Sequence, residues 1–242
     1  EHLDVITRAK SAGVEKMLLI GCDISSSEQS LALAKSYHLF STAGIHPHDA
    51  KTATDSLEDQ LTLLATQPQV VAIGECGLDY NRDFSPRNVQ RSVLRRQLAL
   101  AEKLNLPVYL HERDASDDMI NILTEFNVRG VLHCFTGDEN ALKSYLALGL
   151  YIGITGWVCD ERRGQALQAL APSIPLNRLL IETDAPFLIP RTVKPKPKSR
   201  RNEPALLTHV CQTLAELYQI DAKSVAKQTT DNFYAVFGLE AR

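Results

Sequence analysis

Three imidazoles and two carboxylates stand at matching places in this sequence. His46 follows Ala43-Gly44-Ile45, Glu75 follows Ala72-Ile73-Gly74, and His111 follows Val108-Tyr109-Leu110. His133 follows Val131-Leu132, and Asp184 closes Leu180-Ile181-Glu182-Thr183. Such a set is suited to divalent metal, because imidazole binds zinc, iron or manganese and carboxylates bring in magnesium and manganese. A glutamate bridging two ions would complete a two-metal hydrolytic site. Taken singly, each residue has a plainer reading. A strand-end histidine is usually a satisfied structural group, and Glu75 or Asp184 alone could cap a following helix. The coincidence of five is what carries the metal reading. His2, His38 and His209 fall on helical segments away from strand ends and are read as surface or packing residues.

Neighbours two residues away share a strand face. Glu182 therefore accompanies Asp184, Arg113 accompanies His111, and His48 accompanies His46 across Pro47. The plainer readings are a buried ion pair for Arg113 and a cap or an outer hydrogen bond for Glu182. The latter would itself orient a metal-bound imidazole. From Arg191 to Arg201 the chain reads RTVKPKPKSRR, six positive charges with no negative one. Such a run is commonly a solvated loop stiffened by prolines, but its place directly after a strand end points to contact with a phosphate backbone. Lys196, Arg200 and Arg201 are its candidate substrate-binding residues. Trp157 and Tyr80 also follow strand ends, where they could stack on a splayed base or pack under a loop.

The elements that must position these groups alternate regularly. Apolar runs suited to buried parallel strands occur at Met17–Ile20, Phe40–Ala43, Val70–Ile73, Val108–Leu110, Val131–Leu132, Tyr151–Ile154 and Leu179–Ile181. Helical patterns lie between them. Ser85-Pro86 is expected to open one, with Ser85 as its N-cap, and Val89, Val93, Leu94, Leu98, Ala101 and Leu104 form its apolar stripe. Ser25-x-x-Glu28 reads as a capping box for an earlier helix. Another helix is expected after Pro204, and one opens the chain from His2 to Ala12. A helix that opens an α/β protein usually follows a strand. Seven strands plus one before residue 1 make the eight that close a (β/α)8 TIM barrel, whose strands aim their carboxyl ends at one active-site face. The expectation is thus an α/β barrel lacking its first strand, forming a single domain over residues 1–242; a doubly wound sheet would need no missing strand.

The totals are those of a soluble globular protein, with 44% hydrophobic and 23% charged residues and a net charge of −3. Net charge alone gives no sign of a nucleic-acid partner. No apolar run is long enough to cross a bilayer and no signal peptide opens the sequence. Five scattered cysteines without a CxxC pair argue against a disulfide framework or a cysteine zinc site and suit a reducing cytoplasmic setting.

The motifs Gly44-Ile45-His46-Pro47, Gly74-Glu75-Cys76-Gly77-Leu78-Asp79, His111-x-Arg113, His133-Cys134-Phe135-Thr136-Gly137 and Glu182-Thr183-Asp184-Ala185-Pro186 resemble, in order, the TatD family of metal-dependent deoxyribonucleases. That family belongs to the amidohydrolase-type barrels. The likeness continues through Arg201-Asn202-Glu203-Pro204 to Asn232-Phe233, and the segment from Gly153 to Gly164 resembles bacterial members in particular. The resemblance implies a Mg2+- or Mn2+-dependent nuclease acting from the 3′ end of single-stranded DNA, with Zn2+ able to take the same site. It implies metal ligation by Glu75, His111, His133 and Asp184, with one or two ions. It implies substrate-side or supporting places for His46 and Glu182, and phosphate contact for Arg113. Asp184 is the best general base, with Glu75 as its catalytic partner. The His-x-His pair with which much of the family opens has no counterpart in this sequence. DNA, single-stranded by preference, is the expected partner, with RNA second; neither a membrane nor an obligate protein partner is expected. Two rivals share the barrel: an amidohydrolase acting on a cyclic amide or ester, and a nucleic-acid-binding barrel without catalysis.

Overall fold

The computed structural model describes residues 1–195 and 199–240. Its framework is a parallel sheet of seven strands: β1 (Leu18–Leu19), β2 (Phe40–Ala43), β3 (Val70–Asp79), β4 (Val108–Arg113), β5 (Gly130–Leu132), β6 (Tyr151–Ile154) and β7 (Leu179–Ile181). Neighbours in sequence are neighbours in the sheet, from β1 to β7. The sheet curls, with β1 and β7 as its edges, so that seven of the eight strand positions of a TIM barrel are filled.

Helices connect the strands: α1 (His2–Ser11), α2 (Ile24–Tyr37), α3 (Leu57–Ala65), α4 (Arg87–Leu104), α5 (Ser116–Leu123), α6 (Glu139–Ala147), α7 (Gln165–Leu170), α8 (Leu207–Tyr218) and α9 (Ala222–Phe237). One apolar cluster runs from Leu31 to Val225, with Leu61, Ile73, Leu98, Leu110, Tyr145 and Ile152 fully enclosed. The predicted stripe of α4 is buried through Val93, Leu94, Leu98 and Ala101. The same face buries two amides. Gln97 closes a pair of hydrogen bonds with Ile45, its Oε1 accepting from the backbone N–H at 2.8 Å and its Nε2 donating to the carbonyl at 3.0 Å. Gln90 accepts from the N–H of Asp79 at 2.8 Å. A polar side chain this deep persists because it satisfies backbone groups that would otherwise be orphaned. Here those groups belong to the strand ends before His46 and at Asp79.

Three local expectations differ. The capping box of α2 is built by Asp23 and Ser26, not by Ser25 and Glu28. Asp23 accepts from the N–H of Ser26 at 2.6 Å and Ser26 Oγ accepts from the N–H of Asp23 at 2.9 Å. A carboxylate nearer the strand is the stronger acceptor for the first free amides. Ser85 does not cap α4, because its hydroxyl donates to the carbonyl of His48 at 2.8 Å and accepts from the N–H of Lys51 at 3.1 Å, so the helix begins at Arg87 behind Pro86. Third, β3 runs six residues beyond the predicted end at Ile73 and is buried throughout. Its partner β4 likewise continues past Leu110 to Arg113, the two extensions pairing with each other. Gly77 permits this (φ 153°), since a Cβ there would collide with the carbonyl oxygen of His111 on β4.

Candidate metal centre

The site is organised around one oxygen. Glu75 Oε1 lies 3.1 Å from His111 Nδ1, 3.1 Å from His133 Nε2 and 3.4 Å from His46 Nε2. Strands β3 and β4, the residue just beyond β5 and the turn after β2 supply these groups, and parallel pairing sets them side by side. His46, Glu75 and His111 offer donor atoms that all lie within 4.8 Å of one another. His46, expected on the substrate side, thus faces the same carboxylate as the expected ligands. Its Nδ1 accepts from the N–H of His48 at 3.1 Å, which leaves Nε2 for the centre.

Burial opposes charge on Glu75, yet His133, His111 and His46 outweigh it and hold the carboxyl well below its usual range. Burial likewise opposes protonation of His111, but Asp79 and Glu75 raise it. His133 is raised well above an ordinary imidazole because Glu75 and Glu182 outweigh its burial. His46 is lowered, burial prevailing over Glu75. The centre therefore favours positive charge around a fixed anion. That character, with buried imidazole and carboxylate donors converging, fits a divalent cation.

Glu182 is held from three sides. Tyr109 donates its hydroxyl hydrogen to Oε1 at 2.6 Å, the N–H of Cys134 donates to Oε2 at 2.9 Å, and His133 Nδ1 lies 3.5 Å away. Gly153 on β6 makes the room, since a Cβ there would collide with the carboxylate. Asp184 sits in the turn after β7 with a left-handed backbone (φ 54°), and its carbonyl accepts from the N–H of Phe187 at 2.8 Å. Burial pushes its carboxyl up to about 6, against the pull of His133 and with the push of Glu75 and Glu182. Asp184 and Glu182 line, together with His46, Glu75, His111 and His133, a cavity of about 770 Å3. Leu18 and Leu180, on the two edge strands, line the same cavity.

Several participants escaped the sequence reading. Asp79 places Oδ2 2.6 Å from His48 Nε2 and 3.3 Å from His111 Nε2. Its signal is its place four residues beyond Glu75 on one continuous strand, which an apolar run ending at Ile73 conceals. Cys22, just after β1, points Sγ to Glu75 Oε2 at 3.7 Å. Gln90 and Gln97 carry no signal in an apolar stripe.

Other candidates lie outside the cavity. Arg113 is exposed at the end of β4. Tyr80 spends its hydroxyl on Asp118 at 2.5 Å and its ring face on Arg87, whose guanidinium lies 4.3 Å above it. Trp157 lies under Arg163, 4.8 Å from its ring centre. Neither ring offers the free face that base stacking needs. The basic run is less bare than it reads: Arg191 pairs with Glu161 at 2.8 Å, and Arg201 with Glu1. Lys194 and Arg200 are exposed, whereas Lys196 lies outside the described residues. The run borders a groove between Glu161 and Glu216 rather than the metal cavity itself.

Residues 1–238 match the family model described as TatD related DNase. The chain is 49% identical over 243 residues to the protein named 3′-5′ ssDNA/RNA exonuclease TatD of Enterobacter lignolyticus, covering 99% of this chain and 94% of that one. Among solved structures it resembles YjjV, a TatD homologue from Escherichia coli K12, with a TM-score of 0.90, 29% identity and coverage of 99% of this chain and 92% of that chain. An amidohydrolase from Saccharomyces cerevisiae shares the fold at a TM-score of 0.85 and 22% identity, over 98% of this chain and 92% of that one.

Proposed function

The chain belongs to the TatD related DNase family, and from that premise we propose that it is a divalent-metal-dependent exonuclease. It removes nucleotides from the 3′ end of single-stranded DNA and, secondarily, RNA. The observation that carries this reading is the convergence of three imidazoles on one buried oxygen of Glu75, within 3.4 Å.

Glu75, His111, His133 and Asp184 would hold the ion or ions, with His46 a further donor on the same carboxylate. Mg2+ or Mn2+ bound there would polarise the scissile phosphate and acidify a water. The protein's own groups do the rest. Asp184, beside the ion or ions, would take the proton of the attacking water, a general-base task that requires it to lie within hydrogen-bond reach of that water. Glu182 and Asp79 fix the far nitrogens of His133 and His111, which sets the direction each ring points into the centre. Lys194 and Arg200 neutralise phosphates of the strand beyond the cut. No helix among the described residues is long and apolar enough to cross a membrane, and the five free cysteines fit a cytoplasmic place.

Single-stranded oligonucleotides labelled at either end, incubated with Mg2+, Mn2+ or Zn2+ beside a panel of cyclic amides and esters, test the reading. The expected result is mononucleotide release from the 3′ end with no amide turnover. Turnover of an amide with none of any phosphodiester would establish the amidohydrolase rival. DNA binding without hydrolysis under any metal would establish the non-catalytic one.

A further inference from the structure

Among the described residues, five large apolar side chains are substantially exposed: Leu3, Leu63, Phe84, Phe187 and Ile220. Single exposed apolar residues are ordinary. Leu3, Leu63 and Ile220 are of that kind, on α1, on α3 and in the link between α8 and α9. The other two are aromatic: Phe187 lines the metal cavity, and Phe84 packs against His48, which lines it. Phe187, 67% exposed, lies three residues after Asp184 and lines the cavity. Phe84, 56% exposed, meets the ring of His48 edge-on with centroids 4.8 Å apart, and His48 is the partner of Asp79.

Their backbones are pinned. The N–H of Phe187 donates to Asp184, and its carbonyl accepts from Asn202 Nδ2 at 2.6 Å. The carbonyl of Phe84 accepts from Lys51 Nζ at 3.0 Å, and the next residue, Ser85, is tied to His48 and Lys51. Phe84 rises from the loop after β3 and Phe187 from the loop after β7. Those strands are four positions apart in the sheet order, which in an eight-position barrel places the loops on opposite sides of the mouth. Two rings, fixed at the backbone and more than half exposed, thus flank the place where the phosphate would be cut.

We propose that Phe84 and Phe187 are base-stacking platforms on the two sides of the scissile phosphate, and that they select single strands. The inference rests on the exonuclease reading above and deepens it. Every base has a π-face, so stacking tolerates any sequence, but the face is available only when the base is unpaired and can be splayed. A duplex end would have to melt before it could engage both rings. Tyr80 and Trp157, whose faces are covered by Arg87 and Arg163, cannot serve in their place.

The test compares oligothymidylate with the same strand carrying abasic residues at its 3′ end, which keep the phosphates and lose the bases. Alanine scanning of base–aromatic stacking corresponds to about a five- to hundredfold effect per base. The wild-type KM should rise by that order on the abasic strand, by more than kcat changes. Phe84→Leu and Phe187→Leu should raise KM on the intact strand comparably and lose the discrimination against abasic ends, while Phe187→Tyr restores both. The double leucine variant should also show a smaller ratio of single- to double-strand cleavage. Both side chains are exposed, so thermal unfolding should stay near that of the wild type, separating stacking from misfolding. Leucine variants that keep full discrimination, or a wild type that cuts intact and abasic ends alike, would overturn the proposal. Absence of hydrolysis of either strand by the wild type would instead overturn the exonuclease reading, and this inference with it.

Discussion

The hydroxyl of Tyr109 on β4 donates to Oε1 of Glu182, beyond the end of β7, across 2.6 Å. The ring of Tyr109 also stacks on His133, 5.3 Å between centroids. One side chain therefore reaches across the barrel interior and locks both a carboxylate and an imidazole of the site. Burial and the adjacent Glu182 push its phenol well above the usual range, so it remains a donor at any working pH. Tyr109→Phe leaves the stack and removes the donor. Stability of the metal-free protein in urea should fall by about 1–3 kcal/mol, the cost of an unsatisfied buried acceptor. Nuclease activity should fall several-fold as Glu182 and His133 loosen. An unchanged midpoint would mean that water replaces the phenol without loss.

Gln97 supports His46 in a similar way through both backbone groups of Ile45. Gln97→Leu keeps the size but orphans a buried N–H and a buried carbonyl, at about 1–3 kcal/mol each. Chemical denaturation should register that loss, and activity should fall further than the remaining folded fraction explains. A variant losing stability alone would show that His46 holds its place without this clamp.

Asp184→Asn separates chemistry from folding. Asparagine tolerates the left-handed backbone at this position. If Asp184 is the general base proposed above, its loss costs about 10²–10⁴-fold, so activity should fall by at least about a hundredfold, and saturating Mn2+ should not restore it. Stability should move the other way. The folded carboxyl titrates near 6 against an ordinary 3.8, so its ionisation opposes folding. That penalty is absent below about pH 4, grows between about 4 and 6, and is complete above about 6. Metal-free Asp184→Asn should thus gain stability at about pH 7–8, by up to about 3 kcal/mol, and gain nothing near pH 4. A gain that is equal at both pH values would assign it to packing.

Metal binding should release protons. His111 and His133 are held above the ordinary imidazole range, while metal ligation requires neutral imidazole. Calorimetry of Mn2+ binding at neutral pH, in two buffers of different ionisation enthalpy, should give different apparent heats, with affinity rising as pH rises. Identical heats in the two buffers would exclude displacement of imidazole protons.

The basic run should act on binding more than on turnover. Because Arg191 and Arg201 are paired with Glu161 and Glu1, the informative changes are Lys194→Gln and Arg200→Gln. Each phosphate of a single strand that is no longer neutralised should flatten the logarithmic salt dependence of affinity by about 0.7. Collapse of kcat with an unchanged salt slope would give the loop a structural role.

The sequence by itself determined the strand–helix alternation, all seven strands with only the far ends of β3 and β4 missed by more than a residue, and the set His46, Glu75, His111, His133 and Asp184 at one mouth. These are legible because each depends on local pattern: a buried parallel strand is a short apolar run, and parallel strands all end on the same face. What only the tertiary structure decided were the relationships between segments distant in the chain. Whether β3 stops at Ile73 or continues to Asp79 depends on Gly77 lying against His111 of β4, and the free or covered face of each aromatic depends on which arginine reaches it. The capping of α2 by Asp23 and the use of Ser85 by His48 and Lys51 were competitions among equally plausible local partners. Motif spacing names the groups that can bond, but the folded neighbourhood settles which bond each one makes, because a buried donor or acceptor is satisfied by whatever packing brings within about 3 Å.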